Sequence, residues 1–240
     1  MLIAVINQST LVTNDQVNTM CEAIQVQLNL HVLPAWNMRA GSIKFYADAT
    51  KVPGYAWVVT MLDNSTQAGA LGYHAEDNDK VDGFIFAGPV LQNKGVALYD
   101  PTNPQNVSVA SVLSHEVCEM VGDRYAGGFS QGPQVSAGNL YCQELCDPVE
   151  NDSYAINVGG TSVAVSNFLF PSWFNPEAVS PTNSPFDYLG KLTAPFTMDA
   201  GGYMIVASLT NEGQVTAKHI FGENMPQWRK DYVKGEFYRR

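Results

Sequence analysis

Nowhere does the sequence run through the roughly 20 consecutive apolar residues that a bilayer-spanning helix needs, which excludes helical membrane insertion as its mode of action. Its first residues, Met1-Leu2-Ile3-Ala4-Val5-Ile6-Asn7, have neither the basic start nor the cleavage site of a secretion signal, so a soluble, cytoplasmic protein is expected. Cysteine is scarce. The four present (Cys21, Cys118, Cys142, Cys146) are too few for a disulfide scaffold in 240 residues, and the three-residue gap between Cys142 and Cys146 is not a zinc-ribbon spacing. Reduced, buried thiols are the plain reading. Positive charge is short too: 13 Lys and Arg against 23 Asp and Glu leave a net charge of -10, which argues against a nucleic-acid groove because phosphate binding needs a concentrated positive field. Five of those 13 (Arg229, Lys230, Lys234, Arg239, Arg240) sit in the last twelve positions. A basic tail on an acidic body suits docking against another copy or an assembly partner, the alternative being a solvated terminus.

What is present is ordinary globular material. With 45% hydrophobic residues the chain can bury a full core as one large domain, or as one domain with a modest appendage. Leu2 to Ile6 reads as a buried strand; Thr13-Asn14-Asp15 offers an N-cap, after which Val17, Met20, Cys21, Ile24 and Leu28 recur at helical spacing. Pro34 is expected to close that helix. Ile43 to Tyr46 and Tyr55 to Leu62 read as further strands, the latter bounded by Pro53-Gly54 and Asp63-Asn64. Leu71-Gly72-Tyr73-His74 falls in a Gly-containing loop, and Phe84 to Ala87 forms a short strand that Pro89 assigns to a place at or near a sheet edge.

A Pro- and Asn-rich loop from Asp100 to Asn106 then leads into a helix with an apolar stripe (Ala110, Leu113, Val117, Met120, Val121) beside a polar one (Ser108, Ser111, His115, Glu119). Past Gly122 the texture turns to loops and short strands. No internal repeat or low-complexity linker is visible, and a boundary is expected near Pro176 to Pro185, with Phe196 to Ser208 and Gln214 to Phe221 able to pair beyond it.

The chemistry is concentrated in Ser114-His115-Glu116-Val117-Cys118-Glu119-Met120-Val121-Gly122-Asp123. Residues four apart share a helical face, so His115 and Glu119 can converge on one cation, as the two histidines of an H-E-x-x-H helix do. Glu116 points about 100° around the axis and can reach a metal-bound water, which makes it the candidate general base. Position 119 is Glu where the usual motif has His; one imidazole with two carboxylates still suits zinc, but is less Lewis acidic and more tolerant of calcium or manganese. Gly122 permits a turn off the helix, and Asp123 can then swing a carboxylate back. Glu144 and Asp147, in a second acidic cluster, are the other candidates for the third ligand. An exposed acidic loop is the plainer reading of that cluster. His74 is a candidate substrate hydrogen-bond partner or a structural histidine; His31 and His219 have no acidic neighbours at suggestive spacing and receive no role.

The order of strand, helix, strands, edge strand, metal helix and glycine turn resembles the metzincin branch of the zincins. Gly122 stands at the eighth position of the H-E-x-x-H-x-x-G pattern counted from His115, although the family's third ligand usually comes later than Asp123. Over its first three quarters the chain also resembles a family of uncharacterised bacterial and phage proteins. That resemblance rests on Ile6-Asn7-Gln8-Ser9-Thr10-Leu11, Pro34-Ala35-Trp36, Gly69-Ala70-Leu71-Gly72-Tyr73-His74, Ser114-His115-Glu116 with Glu119-Met120, Glu144 with Cys146-Asp147, and Ser166-Asn167-Phe168 with Pro171 and Trp173-Phe174. It implies that His115, Glu116, Glu119, Asp123, Glu144 and Asp147 form one constellation and implies no substrate.

The expectation is therefore an α+β protein: a zincin-like domain over residues 1–176, with a mixed sheet and a metal-site helix, then a β-rich extension over 177–240 ending in the basic tail. Its expected function is that of a zincin-like metalloprotein, a metal-dependent peptidase acting on a peptide or protein. The alternative is a non-catalytic phage virion component, located in the virion, that contacts other virion proteins or itself. Nucleic acid and membrane are not expected partners.

Overall fold

The computed structural model describes residues 1–66, 70–77, 80–124, 127–133, 139–178, 185–209 and 215–230. Gly69, Gln214, the middle of the expected boundary (179–184) and most of the basic tail (231–240) lie outside the described residues.

Strand β1 (Leu2–Asn7) is flanked by parallel partners on both sides, β2 (Ser42–Tyr46) and β3 (Trp57–Leu62). Ile3, Ala4 and Val5 are fully buried in succession, as expected of a parallel strand covered on both faces. Helix α1 (Asn14–Gln27) starts at Thr13, whose side chain and that of Gln16 close a reciprocal capping box. The helix does not stop before Pro34. It continues through a π segment (Leu28–Val32) into a short α2 (Leu33–Ala35) that contains Pro34.

The sheet is completed by β5 (Lys80–Phe86), parallel to β3, and β4 (Gly72–Asp77), antiparallel to β5, in the order β2-β1-β3-β5-β4. One expectation is corrected here: the segment that carries His74 is a strand, not a loop. The Phe84 strand lies one place in from the edge strand β4, near the edge as expected. Pro89 lies beyond β5, within helix α3 (Ala87–Gln92), and so has no bearing on the strand's position.

Helix α4 (Val109–Gly122) opens with a second capping box, Ser108 with Ser111, and is buried on nearly every side. Such an all-round buried helix has to be covered by two layers. One is the sheet, through β4 and β5; the other is the hairpin of β8 (Ser153–Val158) and β9 (Thr161–Ser166), which also covers α1. A buried ring of hydrogen bonds locks these layers: Ser114 Oγ donates to Gln27 Oε1 (2.7 Å), Gln27 Nε2 to the Ser166 carbonyl (2.8 Å), and Ser166 N to Ser114 Oγ (2.9 Å).

A second sheet runs β11-β10-β7-β6, from β6 (Phe129–Gln131), β7 (Asn139–Cys142), β10 (Tyr203–Leu209) and β11 (Val215–Phe221). The expected pairing of the last two strands is present, as a seven-pair antiparallel ladder from Tyr203–Phe221 to Leu209–Val215. Strands from both sides of residue 176 share this sheet, and a core of Val149, Leu169 and Trp173 with Phe186, Phe196 and Met204 packs beside it. The chain is thus mixed α and β, with three sheets among the described residues. None of its described helices is long and apolar enough to cross a membrane.

Candidate metal centre

Helix α4 presents His115 and Glu119 on one face, with His115 Nε2 3.1 Å from Glu119 Oε1. From the opposite side comes the loop after β7, which ends in a 3-10 turn (Asp147–Val149) and carries Asp147 to within 3.2 Å of the same nitrogen. One imidazole nitrogen is therefore bracketed by two carboxylates that are 4% and 2% exposed. A single N–H cannot complete both contacts, and neither Asp147 oxygen has a donor in full hydrogen-bonding geometry. The Tyr203 hydroxyl also bears on that carboxylate.

Cys146 joins the group. Its amide donates to Glu119 Oε1 (3.2 Å), and its Sγ lies within 4.8 Å of the ligand atoms of His115 and Glu119. Sequence reasoning set all four cysteines aside as buried thiols; all four are indeed free and buried. The available signal was adjacency, since Cys146 directly precedes Asp147.

The electrostatics follow from burial. Desolvation would by itself depress His115, but Glu119, Asp147 and Glu116 together hold its pKa well above the usual imidazole value. Burial and the Glu119 charge push Asp147 well above the usual carboxylate range, although His115 and Tyr203 pull the other way. Burial and the neighbouring Cys118 raise the Cys146 thiol. In the metal-free cluster each of the three groups thus holds its proton more tightly than it would alone.

Glu116 lies on the β4 side of α4, with a carboxylate oxygen within 4.8 Å of ligand atoms of both His74 and Glu119. His74 Nδ1 lies 3.4 Å from its Oε2, and His74 Nε2 donates to the Asp123 carbonyl at 3.0 Å. Burial lowers the His74 pKa, but the Glu116 and Glu119 carboxylates and the Asp123 carbonyl outweigh it and raise the pKa overall. The close approach depends on Gly72: a Cβ there would sit 2.8 Å from Glu116 Oε1 and 3.1 Å from the Phe84 carbonyl.

Of the residues named from sequence, Glu119 and Asp147 each approach His115 Nε2, and His74 meets Glu116 beside them; the group whose ligand atoms all lie within 4.8 Å of one another is His115 and Glu119 with Cys146. Asp123 is different: its Oδ2 accepts from the amides of Gly127 (2.8 Å) and Gly128 (2.5 Å), and it touches the site only through the main-chain oxygen that holds His74. Glu144 is buried next to Asp147, its Oε1 3.9 Å from Cys142 Sγ, and belongs to neither ligand group. Gly122 makes no left-handed turn; a Cβ there would meet Leu145 at 2.2 Å, so its small size admits the loop that carries Cys146 and Asp147.

His115 and Glu116 line the floor of a surface cleft whose walls include Gly72, Gln105, Ser111 and Tyr203. Arg229 lies at its rim, 6% exposed, ion-paired with Glu150 of the same chain. The described start of the basic tail therefore docks within its own molecule. No protein-family model, no curated protein and no solved structure matches this chain, and the chemistry of the centre rests on these residues alone.

Proposed function

We propose that this protein is a zincin-like metalloprotein in which His115, Glu119 and Asp147 hold a divalent cation, zinc by preference, and in which Glu116 serves as general base for hydrolysis of a peptide bond. One observation carries the reading: two buried carboxylates from different elements close on a single imidazole nitrogen, where a cation can take the place of the ring proton that holds them together. The donor set, one imidazole nitrogen and two carboxylate oxygens, fits a small divalent ion.

When bound, such an ion lowers the pKa of a water to about 7 and polarises a carbonyl. The chain supplies the rest. Glu116, on the cleft floor beside His115, is placed to take the proton of the attacking water and return it to the leaving amine. The walls around Gly72 and Tyr203 receive the substrate.

The test has two arms. Chelated and reloaded protein should retain zinc, and His115→Ala or Asp147→Ala should lose the ion of this site, while Cys146→Ser keeps it. Chelator-sensitive cleavage of a peptide library should fall about 10²–10⁴-fold in Glu116→Gln with the His115 metal retained. Absence of metal in all preparations would sink the reading. Retained metal with no turnover would instead favour a structural staple, as in a virion component, for which the depth of Glu119 and Asp147 already speaks.

A further inference from the structure

The contacts of His74 specify its tautomer. A carbonyl only accepts, so Nε2 carries the ring proton towards Asp123, and in the neutral ring Nδ1 is a bare lone pair. That lone pair faces the Glu116 carboxylate at 3.4 Å. Glu119 stands behind it: one ligand atom each from His74, Glu116 and Glu119 fall within 4.8 Å of one another. All three side chains are less than a tenth exposed, at 7%, 5% and 4%, so water cannot dilute their mutual repulsion. The group calls for positive charge, which either a second ring proton on Nδ1 or a cation at its centre supplies. Histidines that bind metals commonly donate their other ring N–H to a main-chain carbonyl, which fixes the ring and its tautomer, and the Asp123 carbonyl does this for His74.

We propose that His74 Nδ1, Glu116 and Glu119 form a second divalent-cation site, and that Glu119 is shared between it and the His115 site as a bridging carboxylate. The bridge rests on the reading given above; the His74 and Glu116 half does not. A carboxylate has two oxygens and about four lone-pair sites, enough to serve two ions, and paired catalytic ions lie about 3.5–4 Å apart. One imidazole with two carboxylates accepts zinc or manganese. The role of Glu116 then depends on loading: it is a free base with one ion bound and a ligand with two.

Metal-free protein is dialysed to equilibrium against zinc and, separately, manganese, and bound metal is counted per chain in wild type, His74→Ala and His115→Ala. The expected result is two equivalents in wild type and one in each variant. One equivalent in wild type, kept in His74→Ala and lost in His115→Ala, overturns the second site and leaves the first. One equivalent with the reverse pattern overturns the first and leaves the second, and no binding overturns both. Because His74→Ala could fail to fold, wild type is also titrated with manganese and followed by electron paramagnetic resonance. A spin-coupled spectrum on going from one equivalent to two supports the pair. An isolated-ion spectrum at every loading overturns it, leaving a ring proton as the positive charge beside Glu116.

Discussion

At His115 and Asp147 the fold raises two pKa values that would ordinarily lie on either side of pH 5, and both shifts have the same consequence for stability. A folded state that holds protons more tightly than the unfolded chain loses stability as pH rises. The His115 contribution is fully present below its unfolded value of about 6.5 and disappears as pH climbs through its higher folded value; the Asp147 contribution declines from about pH 4 upward. Metal reverses the slope, because the ligands must shed those protons to bind it. Chelated protein is therefore expected to melt at progressively lower temperature from pH 5.5 to 8.5, and zinc-loaded protein at progressively higher temperature. Parallel melting curves would show that the cluster does not hold the ion. The opposite, acid-side loss of stability comes from elsewhere, as at Asp63, whose carboxylate accepts from Ser9, Thr10 and Leu11 and is held down at about 2.

Among the elements, α4 is the one whose position matters most, and the ring formed by Gln27, Ser114 and Ser166 sets it. Ser114→Ala would strand Gln27 Oε1 and the Ser166 amide in the interior, at a cost of about 1–3 kcal/mol in denaturant unfolding. A change within about 0.5 kcal/mol, typical of a surface site, would mean the ring does not hold the helix. How well each element could be read in advance follows from where its signal lies. The caps and apolar periods of α1 and α4 are local, as are the apolar runs of β1, β2 and β3, and all five were legible. Strand β4 was not: Gly72, His74, Glu76 and Asp77 are weak strand formers, and the segment is extended because β5 pairs with it. The site divides the same way. The four-residue spacing from His115 to Glu119 fixes a shared face, whereas the approach of Asp147 depends on a loop that Gly122 admits past Leu145. The Asp123 side chain turned to the Gly127 and Gly128 amides, since beyond a helix end spacing no longer dictates direction.

For the molecule as a whole, the cleft is closed by a residue far from it in sequence. Arg229 and Glu150 are buried together, with side chains 7% and 10% exposed. Removing one partner leaves a buried charge, so Arg229→Ala should cost about 3–5 kcal/mol, while Arg229→Met combined with Glu150→Leu should recover most of it. Equal losses in the single and double variants, measured by denaturant unfolding, would show that the pair is only packing. The same long reach puts the centre on a timetable. A ribosome delivers His74, Glu116 and Glu119 first, Asp147 next, and Tyr203 and Arg229 last of these. At about 5–20 residues per second, the interval from Asp147 to Arg229 lasts roughly 4–16 s. Throughout that interval a nascent chain owns its ligands but not its finished cleft, so whatever the centre does, it begins only after Arg229 has been made.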